Sequence, residues 1–175
     1  YWDKRVIQPM QGSENSATSS TGEYVKNGNG PFASSYALRT AGYRDFDSDY
    51  IPVQPGETIY VEQAVRNISG SGGLFYLGVR RYDKNKNPIA SNDGIVYFGA
   101  SAINNTSTSW TEYKGTHTLP TSHTPYNGSD GEGVRYVRVI SLMNYSAGGA
   151  TREFGPPILN PIAVNVCVDV GPGII

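Results

Sequence analysis

The stretch GGLFYLGVRRYDKNKNP, residues 72–88, constrains the fold of this chain more than any other. Phe75, Leu77 and Val79 fall on one side of a pleat and Tyr76, Arg80 and Tyr82 on the other, because successive side chains of a strand point to opposite faces. The strand therefore has one dry face and one that carries rings and guanidinium. Asp83, Lys84, Asn85, Lys86 and Asn87 follow as a run too polar for a core and rich in turn formers, which predicts a chain reversal before Pro88 and Ile89. A strand offering Tyr and Arg outward suits a polar, ring-shaped ligand such as a sugar.

The remainder of the chain repeats this style. No sustained amphipathic helix pattern occurs, whereas period-two segments return between breakers, at about residues 36–40, 49–53, 57–68, 73–82, 94–99, 110–119, 134–145 and 158–170. Residues 11–35 and 120–133, dominated by Gly, Ser, Asn, Thr and Pro, read as loops. With 21 Gly, 11 Pro and 13 Tyr in 175 residues, the composition favours many short strands joined by turns. The expectation is an all-β antiparallel β-sandwich of two sheets over residues 1–163, followed by an extension, 164–175. In that extension Val164, Val166, Val168 and Val170 alternate with Asn165, Cys167 and Asp169, a strand with an edge that a neighbouring subunit would cover. Cys167, the only cysteine, lies between valines and reads as a small buried hydrophobe.

Charge and hydropathy narrow the partners. A formal net charge of −1 supplies no field for nucleic acid. No apolar run approaches the roughly 20 residues of a membrane-spanning helix, so membrane insertion is not expected. The chain opens at Tyr1 without a basic-then-apolar leader, which reads as a processed product or a piece of a longer polypeptide.

SSYALRTAGYRDFDSDYIPVQPGETIYVEQAVRN resembles the early strands of jelly-roll carbohydrate-binding modules attached to xylanases, with Pro55, Gly56 and Glu57 at the turn and residues 60–65 in the long strand after it. The next run, with Arg81, Tyr82, Asp83, Asn87, the segment DGIVYFGA, Trp110, Tyr113 and residues 134–145, is more similar to jelly-roll domains at the distal ends of bacteriophage tail fibres and tailspikes. The similarity spans roughly residues 30–160. It implies a galactose-binding-like jelly roll, non-catalytic, on a homotrimeric viral adhesin of the virion that recognises bacterial surface polysaccharide. The xylanase modules usually carry an acidic calcium ligand in the last strand; here Glu153, Phe154, Gly155, Pro156 and Pro157 stand at about that place, a departure that argues against carrying calcium over.

No cofactor is expected. Asp45, Asp47 and Asp49 alternate in RDFDSDY as at the start of a calcium loop, but the Gly of the sharp turn and the later bidentate Glu are missing, so a solvated loop is the first reading and calcium the second. Catalytic signals are absent: His117 and His123 have no zinc spacing, no serine sits in a GxSxG context, and pairs such as Glu62 with Asp83 or Glu112 are no more than 15 acidic residues supply by chance. Asn67, Asn104, Asn105, Asn127 and Asn144 begin N-x-Ser/Thr matches, which matter only in a eukaryotic secretory cell.

Glycan sites combine rings that cover an apolar sugar face with side chains that bond hydroxyls. Two sets of residues qualify. Gln63, Tyr76, Arg80, Tyr82, Arg138 and Asn144 lie on strands, and Arg138 joins Arg80 if their strands are neighbours in one sheet. Tyr43, Asp93, Tyr97 and Tyr126 lie on loops. For any one Tyr a packing role competes, and Trp110 reads as core packing. Three functions remain: a glycan-binding adhesin domain, a ligand-free trimerisation domain of the same fibre, and a module appended to a polysaccharide-degrading enzyme.

Overall fold

The computed structural model describes residues 5–6, 23–26, 36–146 and 149–162. Its strands are β1 (Arg5–Val6), β2 (Glu23–Lys26), β3 (Tyr36–Thr40), β4 (Arg44–Asp47), β5 (Ile51–Pro52), β6 (Thr58–Ser69), β7 (Leu74–Tyr82), β8 (Val96–Ile103), β9 (Thr111–Thr118), β10 (Tyr136–Tyr145), β11 (Thr151–Phe154) and β12 (Ile158–Ile162). A single 3-10 turn at Asn92–Gly94 is the one helical element among the described residues. The strands form two antiparallel sheets packed as a jelly-roll sandwich.

Each sheet is organised by one long strand. In the seven-stranded sheet β6 carries β9 along one edge and β12 then β11 along the other, with Val61 opposite Leu159 and Val65 opposite Phe154. β1 extends this sheet from β12, and β3 followed by β2 extends it from β11. In the five-stranded sheet β10 carries β7 on one side and β4 and β5 on the other, and β8 lies outside β7. The register sets Tyr136, Arg138, Ile140 and Leu142 opposite Tyr82, Arg80, Gly78 and Tyr76. Arg138 is thus beside Arg80 in one sheet, the condition set from the sequence.

The core lies between the two inner faces, where Ile59, Val61 and Val65 meet Phe75, Leu77, Val79, Val137 and Val139, all fully buried. Burying one such side chain contributes about 1.5–3 kcal/mol, so these residues drive the two sheets together. At the side where β8 and β9 meet, the sheets approach so closely that a Cβ on Gly115 would lie 1.8 Å from the Phe98 carbonyl oxygen. Only glycine fits there.

Two polar groups sit inside this core with every obvious bond made. Gln63 of β6 accepts from the Ser141 hydroxyl (2.7 Å) across the sandwich and donates to the Gly155 carbonyl (2.8 Å). Arg152 donates to the carbonyls of Asn105 (2.8 Å) and Gly73 (3.1 Å) and to the side-chain oxygens of Asn104 (2.7 Å) and Asn144 (2.5 Å). A buried cation can stay there because four oxygens replace its water. Burial lowers the Arg152 guanidinium below its ordinary range.

Several local expectations change. RDFDSDY is not a loop at its start: Arg44–Asp47 is β4, paired with β10 from Ile140 to Met143. Glu23–Lys26, inside a segment read as loop, pairs with β3, and Thr151–Phe154 forms β11 without having been anticipated. The segment 49–53 contributes only Ile51–Pro52 to the ladder. The Pro55–Gly56 turn is as expected, with Gly56 at φ 80° and the Glu57 carboxylate accepting from the Gln54 backbone N–H. The valine-alternating extension and Cys167 lie outside the described residues.

Candidate functional site

The outer face of the five-stranded sheet carries two groups of tyrosines. Tyr76 on β7 packs against Tyr97 of β8 (ring centroids 4.9 Å apart) and Tyr145 at the end of β10 (5.6 Å), and Tyr145 in turn meets Tyr43 (5.4 Å). At the other end of the β7–β10 pair, Tyr50 stands edge-on to Tyr82 (5.0 Å) and Tyr136 (6.2 Å). Each group has one well-exposed ring, Tyr145 at 42% and Tyr50 at 38%. From Tyr76 to Tyr82 the strand advances six residues, about 20 Å at strand rise, the length of several linked sugar rings. Ile140 and Leu142, opposite Gly78 and Tyr76 in the ladder, are buried.

Between the groups runs an ion network. Arg80 donates through Nε to Asp47 of β4 (2.8 Å) and through Nη1 to Asp93 (2.9 Å) in the 3-10 turn. Burial alone would lower its pKa, but the Asp47 bond and charge, with Asp93, raise it. Arg80 is therefore a strut of the face and not the free donor expected from the sequence. Asp45, next outward residue on β4, is pushed up by burial and then by the Asp47 charge. Burial chiefly, and Asp45 next, push the Tyr43 hydroxyl up to about 12.

Arg138, directly across from Arg80, turns the other way. Its Nε donates to the Ser48 carbonyl (2.6 Å), its guanidinium draws the Tyr82 hydroxyl's pKa down against the burial that raises it, and Cζ lies 5.4 Å from the Tyr50 ring centre. Lys86 reaches the same rings from the turn after β7, with Nζ 4.8 Å from the Tyr50 centre and 5.5 Å from that of Tyr136.

The turn is built on Asp83, which was read as solvent-facing and is in fact fully buried. Its carboxylate accepts the backbone N–H groups of Asn85 (2.8 Å), Asn87 (2.8 Å) and Asp130 (3.0 Å). Burial would raise its pKa, but these donors outweigh burial and lower it. The same bonds tie the loop 120–133 to the turn.

Tyr76, Arg80, Tyr82, Arg138 and Tyr97 thus share one face, although Tyr82 is almost wholly covered by its neighbours. Gln63 does not belong to it, since it is buried between the sheets and its amide is used on Ser141 and Gly155. Asn144 is likewise buried, donating to the Thr40 carbonyl (3.1 Å) and accepting from Arg152. Tyr126 sits on the loop 120–133, its backbone bonded to Ser129, and makes no ring contact with the face among the described residues. Asp45, Asp47 and Asp49 do not converge: Asp47 is committed to Arg80, Asp49 lies beyond the end of β4, and among the described residues no group of three acidic, His or Cys side chains is placed to hold a metal ion.

Trp110 is half-buried under the Arg66 guanidinium, 5.0 Å from ring centre to Cζ, so it packs on the seven-stranded sheet's outer side and not in the core. Glu62 lies on that sheet bonded to the Tyr60 hydroxyl, remote in the ladder from Asp83 at the end of β7. A cleft of about 280 Å³ near the Pro55–Gly56 turn is lined by Ile51, Val53, Ile59 and Leu159 among others, with no aromatic ring in its wall among the described residues. Sequence reasoning missed Tyr50, Tyr136, Tyr145 and Lys86 as parts of the site. Tyr136 was legible, because it alternates with Val137 and Val139 as Arg138 does. Tyr50 was not, since it falls just outside the two residues, Ile51–Pro52, by which the segment 49–53 joins the sheet, so strand alternation does not set where it points.

No model of a known protein family matches the chain, and no curated protein matches it by sequence. Solved structures do match its fold. The xylan-binding CBM22-1 domain of Paenibacillus barcinonensis Xyn10C is similar over 87% of this chain and 86% of its own, with 15% identity and a TM-score of 0.50. A family 16 carbohydrate-binding module covers 79% of this chain and 84% of its own, with 15% identity and a TM-score of 0.51. The enzymatically active domain of tailspike protein 4 of bacteriophage CBA120 matches 90% of this chain through 20% of its own length, with 12% identity and a TM-score of 0.56. At these identities the likeness is one of fold: the chain has the jelly-roll sandwich that carbohydrate-binding modules have.

Proposed function

We propose that this domain binds a polysaccharide along the outer face of the five-stranded sheet and does not cleave it. The observation that carries this reading is the pair of tyrosine groups about 20 Å apart, each with an exposed ring, on one rigid sheet. Tyr50 and Tyr145 cover apolar sugar faces, and the polar groups between them meet hydroxyls. The fold shared with carbohydrate-binding modules supports the same reading.

Its place is the receptor-binding region of a phage tail fibre or tailspike, a homotrimer of the virion exposed to bacterial surface polysaccharide. The likeness to one-fifth of a tailspike chain supports that assignment. A second reading, a module appended to a polysaccharide-degrading enzyme, is favoured by the likeness to the xylan-binding domain over nearly its full length. Affinity electrophoresis against bacterial surface polysaccharides and plant xylan tests both. Retention by the former with a trimer in light scattering supports the adhesin, and retention by xylan alone supports the enzyme module. Tyr50→Ala and Tyr145→Ala should each weaken retention. If both variants migrate as the parent does, the face is wrong; a trimer that no polysaccharide retards is a ligand-free assembly domain.

A further inference from the structure

The cations of the tyrosine face are not alike, and the difference bears on what kind of sugar fits. Arg80 is neutralised by Asp47 and Asp93, and Lys84, two residues before Lys86, is paired with Glu132 (2.8 Å) and Asp130 (3.6 Å). Lys86 and Arg138 have no carboxylate partner among the described residues, Asp49 beside Tyr50 included. Both cations instead lie over the Tyr50 ring, Lys86 from the turn and Arg138 from β10, at one of the two ends of the face that carry an exposed ring.

The backbone of Lys86 strengthens the point. It holds φ 64°, the left-handed region that Gly and Asn accept and Lys rarely does, although Asn stands on both sides of it at Asn85 and Asn87. The turn does not relax because the Asp83 carboxylate grips Asn85 and Asn87, while the Lys86 N–H donates to the Asp83 carbonyl (3.1 Å). A costly residue is kept at the position that sets its ammonium over Tyr50 and Tyr136.

On the reading that this face binds polysaccharide, we propose that its ligand is an acidic one, whose anionic group lodges between Lys86 and Arg138 while its sugar ring packs against the part of Tyr50 that stays exposed. The terminal nitrogens of Arg138 and the Lys86 ammonium supply donors suited to a carboxylate or to a sulfate or phosphate ester. The centre of the face does not suit such a group, because Asp47 and Asp93 already take Arg80 there and Asp45 adds a third carboxylate beside Asp47. Orientation along the face follows, with the acidic residue of the repeat at the Tyr50 end.

A glycan array settles this with the full chain. It carries neutral polysaccharides and acidic ones, the uronates printed beside their carboxyl-reduced forms and the sulfated or phosphorylated polymers beside their de-esterified forms. Retention of acidic members, lost when the anion is removed, supports the inference, and the partner form that loses retention identifies the anion. Lys86→Asn removes the charge yet suits the left-handed backbone, so it should keep or raise the melting temperature while weakening binding to the acidic member about tenfold, with Lys86→Arg restoring much of it. Equal retention of a polymer and its neutralised form, or unchanged binding by Lys86→Asn, overturns the acidic ligand and leaves glycan binding standing. No retention of any member overturns glycan binding and this inference together.

Discussion

The outer faces of the two sheets carry similar residues and treat them in opposite ways. On the seven-stranded sheet, Glu153 of β11 is fully buried and takes both Arg39 (2.6 Å) and Arg66 (2.6 Å), Arg66 covers Trp110, Glu62 takes the Tyr60 hydroxyl, and Thr58 faces Thr118 (2.9 Å). The charged groups of that network satisfy one another, although the Trp110 indole N–H is buried without a hydrogen-bond partner among the described residues. On the five-stranded sheet the Asp47–Arg80–Asp93 pairs lie at the centre, each end carries one exposed tyrosine ring, and the Tyr50 end holds two cations that have no carboxylate partner among the described residues. A face whose polar groups are already bonded gains little from a ligand, whereas one with cations that lack a counter-charge and with exposed rings does.

The sharpest way to break this contrast is Glu153→Gln. It leaves two partly exposed arginines without their shared anion and turns a buried amide N–H toward them, which should cost about 3 kcal/mol in urea denaturation. Binding by the variant under folding conditions should be unaffected. A loss below about 1 kcal/mol, the size of a surface pair, would mean the seven-stranded face is not held by this network.

Next comes Arg80→Met, expected to destabilise by about 2–3 kcal/mol because Asp47, nearly buried, is left alone. Asp47→Asn in the same chain should recover part of that loss, and a double-mutant cycle showing no coupling would disprove the strut. Tyr50→Ala and Tyr145→Ala act on the other property of that face. Each should weaken polysaccharide binding about tenfold, near 1.4 kcal/mol, and the two effects should add because the rings are far apart. Stability should change far less than in Glu153→Gln.

The smallest effect concerns pH, and its sign differs between the faces. The Glu153 pKa, which burial would raise, is lowered by Arg66 and Arg39, so its stabilisation is present above the ordinary carboxylate range and lost as pH falls through its depressed value. Asp45 is raised, so it favours the fold at acid pH and loses that contribution as pH rises through its elevated value. At pH 7 Asp45→Asn should therefore raise the melting temperature, by about 1–2 °C, where Glu153→Gln lowers it. A fall in both variants would contradict the assignment for Asp45.

The comparison also marks how far the residues alone could be read. β7 was legible because Phe75, Leu77 and Val79 fall on one side and Tyr76, Arg80 and Tyr82 on the other, and its turn because five polar residues follow at once. β4 was not, because three Asp in seven residues look like a loop; its strand forms where β10 supplies the ladder and Arg80 takes the Asp47 charge. Gln63 and Asn144 look like surface residues and are core residues, since Ser141, Gly155, Thr40 and Arg152 meet them from distant parts of the chain.

What the sequence by itself determined is the all-β class, the two faces of β7 and the Pro55–Gly56 reversal, each set by the period of a strand or by the backbone a turn demands. Only the tertiary structure decided that Tyr50, Tyr136, Tyr145 and Lys86 join Tyr76 in one site and that Arg80 is committed while Arg138 is not. Local rules say which side of its own strand a residue takes. Strand order and register, set by packing the whole sandwich, say which residues from four strands and a turn share a face and which find a counter-charge there.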